Sequence, residues 1–266
     1  MRSTNNMNMT LFNKFEPIIR SLNANELAGS QGLDLKLKLA EEGNIRVCYI
    51  PFEYINPDAR IVIVGITPGR TQLVNAIKEA RRLLDLGANA NDVLIACKKT
   101  GAFSGSMRPN LTNLLDSVGL NRWLGVPSCK DLFGASAHLA HTTSILRNPV
   151  FVNGDNYNGT PNMTRHPFLR DQLLSYFAED AKVLRSAVFI PLGDKAAEAL
   201  HFAADNSLLD HSRILDGLPH PSGANAERIA YFLGNKTRNA LSAKTDPNKL
   251  DHAKRSLIEK VLTLPR

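Results

Sequence analysis

The feature that most limits what this chain can fold into is the run Arg60–Gly65, RIVIVG, which passes without a break into the turn ITPGR. Consecutive β-branched residues leave no polar face for water. Such a run belongs to a strand covered on both sides, the setting of a parallel sheet. Ala187–Leu192 (AVFIPL) is a second run of this kind, and Ala140–Leu146 (AHTTSIL) reads as another core strand. A short strand is expected near Arg213–Leu215. Between these, Gln72–Leu86, Ala90–Lys99, Asn110–Val118, Phe168–Leu184 and Asp194–Ala204 place apolar residues at helical spacing. Gly119 suits the end of the third and Asp194 the N-cap of the last. Strands separated by helices predict an α/β fold of three layers, helices on both faces of a parallel sheet. In such folds the ligand crevice lies beyond the carboxyl ends of the strands, so the loops that follow them carry the chemistry.

The flanks are less regular. The first 60 residues read as helical segments and connectors, with a short strand at Arg46–Ile50. The stretch 148–167, NPVFVNGDNYNGTPNMTRHP, is dense in Asn, Gly and Pro and reads as an irregular, functional loop. Lys249–Leu262 is a charged amphipathic helix. With 266 residues and no Pro/Gly/Ser-rich linker, one domain over 1–266 is expected, its core at about 46–240 between helical additions.

Charge and cysteine content narrow the partners. A net charge of +7 fits a polyanion such as DNA. Cys48, Cys97 and Cys129 are scattered and odd in number, which predicts buried thiols rather than disulfides or a cysteine metal site. No apolar run is long enough to span a bilayer, and the first residues lack the apolar stretch of a secretion signal. A cytoplasmic protein with no membrane partner is expected.

Two loops carry the functional argument. GITPG (65–69) is neither a P-loop nor a dinucleotide fingerprint, and HPSG (220–223) alone is only a turn before a helix. In order, each after a strand, they resemble the two signature motifs of the uracil-DNA glycosylase superfamily. AFSGSMRPNLTNLLDSVGL, HTTSILRNP and AVFIPLGDKAAEAL resemble segments of that family between them, so the likeness spans about 60 to 235.

The resemblance implies a central four-stranded parallel sheet and an enzyme that flips a base out of DNA and hydrolyses its N-glycosidic bond. Bases inside a duplex cannot be reached, and the broken bond leaves an anionic base that needs electrostatic stabilisation. His220 corresponds to the histidine that hydrogen-bonds the leaving base. Pro221, Ser222 and Gly223 correspond to the grip on flanking phosphates, with Arg70 and Ser104 as further DNA contacts. Gly65, Ile66, Pro68 and Gly69 correspond to the wall of the base pocket, and Phe103 to the ring that stacks on the base. No metal or cofactor is implied, and a monomer is.

Four departures shift the expected substrate. Thr67 stands where relatives carry the Asp or Asn that handles water, and threonine is no general base; Asp155 is the candidate replacement. Gly69 replaces the bulky aromatic of strict uracil enzymes and leaves room beside C5. Ser144 replaces the uracil-reading asparagine, and a hydroxyl cannot read a base edge as an amide does. Ala224 replaces the wedge residue, for which Asn225, Arg228 or the basic helix carrying Arg81 and Arg82 are substitutes. With Asn156 and Tyr157 in the polar loop, these point to a bulky 5-substituted pyrimidine, such as the hydroxymethyl- or glucosylated cytosine of phage DNA, and to antiviral defence. A uracil or mismatch repair glycosylase and an inactive DNA-binding module remain as alternatives.

Overall fold

The computed structural model describes residues 5–28, 32–101 and 107–265. Among these the strands are β1 (Lys38–Glu42), β2 (Ile45–Cys48), β3 (Ile61–Gly65), β4 (Ala140–Ser144), β5 (Val150–Val152), β6 (Asp155–Asn156) and β7 (Val188–Pro191). The chain divides into two compact units. One comprises Met1–Ile55, Ile66–Ala102 and Leu146–Phe177; the other comprises Asn56–Gly65, Phe103–Ile145 and Ala178–Arg266.

The second unit holds the parallel sheet, in the order β4-β3-β7. Ile61 is level with Ala140 on one side and Val188 on the other. Ile61–Val64 have no exposed surface at all, as the unbroken β-branched run predicts. Ile61, Ile63, Val188 and Ile190 share a core with Leu111, Leu114 and Leu115 of the helix Met107–Ser117. Ile229, Phe232, Leu250, Leu257 and Val261, from the helices Ala226–Phe232 and Pro247–Thr263, complete it. The helix Asp194–Asp205 packs on β7 and buries its own stripe of Ala196, Ala199, Leu200 and Ala203.

Two expectations are corrected here. The parallel sheet has three strands rather than four. Ile214 makes one parallel bridge to Phe189, and the Leu215 N–H donates to the Phe189 carbonyl at 2.8 Å, but pairing stops there. Gly217 turns the chain away at φ +111°, with Ala253 3.0 Å from where a Cβ would stand. Pro219 then has no N–H to give a ladder. Asp194 is the first helical residue rather than the cap; the cap is Gly193, at φ +89°.

The first unit carries an antiparallel sheet, β1-β2-β5-β6, where helices and an irregular loop were expected. β2 matches the expected strand at Arg46–Ile50, and β1 (KLAEE) pairs with it. β5 and β6 form a hairpin closed by Asn153 and Gly154, at φ +53° and +85°. Positive φ at both central positions is the two-residue Asn-Gly turn that matches the twist of the strands. Beside this sheet, Phe12, Phe15, Ile19 and Leu22 form one stripe of the helix Asn5–Ser21 and its exit. They share a core with Leu73, Ala76, Ile77 and Ala80 of the helix Arg70–Asp85, and with Val93, Leu94 and Cys97 of the helix Ala90–Gly101. Phe15 stacks on Tyr49 with ring centroids 4.2 Å apart. All three cysteines are free and buried.

Candidate functional site

The first signature loop leaves β3 at Gly65 and enters the first unit at Ile66. The Ile66 carbonyl accepts from the Leu146 N–H at 2.9 Å, and Pro68 is buried. Thr67 is tied down at both ends of its hydroxyl: Oγ1 donates to the Asn148 carbonyl at 3.0 Å and accepts from the Val150 N–H at 3.2 Å. Its one proton is engaged on the Asn148 carbonyl, and the group pins the loop to β5.

Gly69 caps the helix Arg70–Asp85 at an ordinary φ of −88°, with its N–H held by Gln72 Oε1 at 2.9 Å. Glycine is therefore not required by the backbone. What it provides is space, and Asn156 stands in it: a Cβ at Gly69 would meet the Asn156 amide at 3.6 Å. Asn156 Oδ1 accepts from the Arg70 N–H at 2.9 Å, and its Nδ2 has no acceptor among the described residues. The room expected beside Gly69 is thus lined by an amide.

Two further candidate residues of the same loop region have partners within the protein. Arg70 grips Asp34 through two bonds of 2.7 and 2.8 Å, donates to the Gly154 carbonyl at 2.9 Å and lies over the Phe151 ring. Its charge is balanced by Asp34, and it ties the start of the helix to the hairpin. Tyr157 is buried, its hydroxyl donating to the Pro161 carbonyl at 2.5 Å. Asp155, on the exposed edge strand β6, keeps a solvent-facing carboxylate. The arginines of the basic helix are likewise paired, Arg81 with Asp85 and Arg82 with Glu79; on the next helix Lys98 is buried, with Nζ donating to the Phe52 carbonyl.

The second unit presents the other loop. Gly65 and Ser144 end their strands side by side in register, and Ser144 Oγ is 3.4 Å from where a Gly65 Cβ would stand. Next to Ser144, the Thr143 hydroxyl donates to buried Asp180 at 2.5 Å. His220 is half-buried, its ring packed on Gly193, where a Cβ would stand 3.5 Å from Cδ2. Its Nδ1 accepts from the Ser222 N–H at 3.2 Å, so Nδ1 carries no proton and the neutral ring bears it on Nε2. Burial pushes the ring's pKa below the ordinary 6.5 and keeps it neutral at pH 7. The result is a fixed Nε2–H donor with no protein acceptor among the described residues.

The rest of the loop is braced. Asn110 Nδ2 donates to the Pro221 carbonyl at 2.9 Å, and Asn225 Nδ2 donates to Ser222 Oγ at 3.2 Å. Gly223 and Ala224 open a single 3-10 turn, whose first N–H groups have no acceptor inside it. Arg228 donates to Asn225 Oδ1 and to the Lys244 carbonyl, each at 3.2 Å. Phe103 and Ser104 lie outside the described residues. Sequence reasoning passed over Asn110 and Glu227, which leave no trace in the sequence; Gly193 is the glycine between strand and helix in AVFIPLGDKAAEAL, and its packing against His220 is what the sequence did not show.

A neutral imidazole donor thus stands next to a braced turn at the end of the parallel-sheet unit. The chain belongs to the uracil DNA glycosylase superfamily, whose profile matches residues 52–244. It is similar to a Bacillus subtilis (strain 168) protein described as "Uncharacterized protein YoxB", with 39% identity over 202 residues, 75% of this chain and 79% of that one. No solved structure matches it. Proteins of this superfamily act on DNA. Among the described residues, no helix is long and apolar enough to cross a membrane.

Proposed function

We propose that this protein is a monofunctional DNA glycosylase acting as a monomer without a cofactor. Its substrate is a bulky 5-substituted pyrimidine, hydroxymethyl- or glucosylated cytosine of phage DNA, and its role is antiviral defence. His220 carries the reading. When the bond from C1′ to N1 breaks, the electron pair stays on the base and negative charge collects at its carbonyl oxygen. A preorganised N–H donor such as Nε2 of His220 acts there, and one donor of this kind is worth about 10²–10³ in rate. Water then bonds to C1′ and gives up a proton, and the base anion takes one up. Thr67 has no free proton or basic lone pair for that step. Asp155 is the acceptor we assign.

The substrate class rests on what replaces the expected aromatic and amide. Beside Gly69 stands Asn156, with two amide hydrogens free to donate to a hydroxyl or sugar on C5. Ser144 offers a hydroxyl that reads a pyrimidine edge loosely. A binding module without catalysis would have no use for a desolvated, singly oriented imidazole donor.

The test is a substrate panel: duplexes carrying uracil, T·G mismatch, hydroxymethylcytosine or glucosylated hydroxymethylcytosine, followed by alkali. Breaks confined to the modified cytosines support the reading. Rapid breaks at uracil with modified cytosine untouched would make it a repair enzyme instead.

A further inference from the structure

Self-neutralisation of the basic helix leaves the net positive charge to be sought elsewhere. Arg20, Arg46, Arg70, Arg81 and Arg82 all have carboxylate partners within 3 Å. Just past the HPSG turn the pattern changes. A pocket of about 370 Å³ is lined there by Ala224, Asn225, Arg228, Lys244 and the anchor residues of the following loop. Neither Arg228 nor Lys244 has a carboxylate partner among the described residues.

Glu227 lies in the same wall and would ordinarily repel an anion, but its two oxygens are already occupied. It accepts from Lys236 Nζ at 2.7 Å, Ser242 Oγ at 2.6 Å, the Ser242 N–H at 3.2 Å and Thr245 Oγ1 at 2.6 Å. Those donors hold its carboxyl far below the usual carboxylate range, so it stays a fixed anion with its field spent on the loop. The bonds staple the loop Lys236–Thr245 back onto the helix Ala226–Phe232. The Arg228 guanidinium closes the same arrangement by donating to the Lys244 carbonyl. Two unpaired cations are thereby held on one pocket, directly after the turn assigned to the flipped nucleotide's phosphates.

We infer that this pocket is a second DNA-backbone site, in which Arg228 and Lys244 meet a phosphodiester beyond those at the HPSG turn and Glu227 is the positioning residue. The inference rests on the glycosylase reading and adds to it where the strand runs next. Ala224, in the place of the wedge, is one of the residues that line the pocket. Grip on the backbone replaces a wedge in the stack.

The test is equilibrium binding of the full chain to a labelled, unmodified duplex across a salt series, so that no excision is involved. Every phosphate that the protein ceases to neutralise lowers the slope of log K against log salt by about 0.9. Lys244→Ala is expected to lower the slope by about 1 and the affinity about eightfold at 0.1 M salt, and Lys244→Arg to restore both. Glu227→Ala separates positioning from bulk charge. Removing an anion raises affinity for DNA if only net charge matters, whereas loss of the staple lowers it. Tighter binding of Glu227→Ala, or an unchanged slope in Lys244→Ala, overturns the inference while leaving strand cleavage by the parent protein intact. Absence of any DNA binding by the parent would defeat the glycosylase reading itself.

Discussion

Thr67→Val separates a structural threonine from a catalytic one. The substitution keeps the shape and removes the hydroxyl that donates to the Asn148 carbonyl and accepts from the Val150 N–H. Both backbone groups belong to buried residues, and the Val150 N–H has no other acceptor in the sheet. A buried polar group left without its partner costs about 1–3 kcal/mol. Thr67 is only half-buried, so water can reach part of the gap, and the low end applies to each group. The sum is about 2 kcal/mol, or a fall in melting temperature of about 4–8 °C for a chain of this size. Excision per folded molecule should stay within about threefold, because no proton in the reaction passes through this hydroxyl. Differential scanning calorimetry and single-turnover excision, measured on the same preparation, check both halves. A hundredfold loss of excision with the melting temperature unchanged would refute the reasoning and return Thr67 to the catalytic group.

Other expectations follow from the same geometry. His220→Ala should slow excision about 10²–10³-fold with little change in DNA affinity, since the donor acts on charge that develops only as the bond breaks. Because burial lowers the His220 pKa below 6.5, the folded chain disfavours the proton that the unfolded chain accepts. Its contribution to stability is intact above pH 6.5 and lost as pH falls below it; thermal melts of the parent and His220→Ala across pH 5–8 should converge in acid, and a difference that widens into acid would contradict this. Asn156→Ala should weaken excision of the glucosylated base about tenfold or more while leaving an unsubstituted pyrimidine unaffected; equal loss on both would reduce Asn156 to a brace for Arg70. Burial pushes the Cys48 thiol up to about 12 and raises Cys97 and Cys129 further, so a thiol reagent should label native protein slowly and all three after unfolding.

The parallel sheet was legible because its strands are buried on both faces and so are apolar at every position, as Ile61–Val64 and Val188–Ile190 are. The antiparallel sheet was not. β1, KLAEE, is mostly polar and gains its strand only by pairing with β2. The hairpin had a local signal in Asn153-Gly154 between VFV and DN, but the Asn, Gly and Pro around it gave the whole stretch the composition of a loop. His220 was legible through its neighbours Pro221, Ser222 and Gly223. The state of its ring was not, since that depends on a bond from the Ser222 backbone and on packing against Gly193. The part played by Thr67 depends on partners more than eighty residues away, at Asn148 and Val150. Charge misled most. Arg70, Arg81 and Arg82 count as positive in the sequence, yet each is paired with a carboxylate that only the fold supplies, while exposed Arg228 and Lys244 have no carboxylate partner among the described residues.

The most direct test of the central claim is mass spectrometry of the free base released from DNA containing glucosylated hydroxymethylcytosine, run with the parent protein and with His220→Ala. The account predicts intact glucosylated base in solution, one abasic site left for each base released, and loss of both in the variant. Release by the variant at the parent's rate, or DNA tightly bound with no base released, would contradict it.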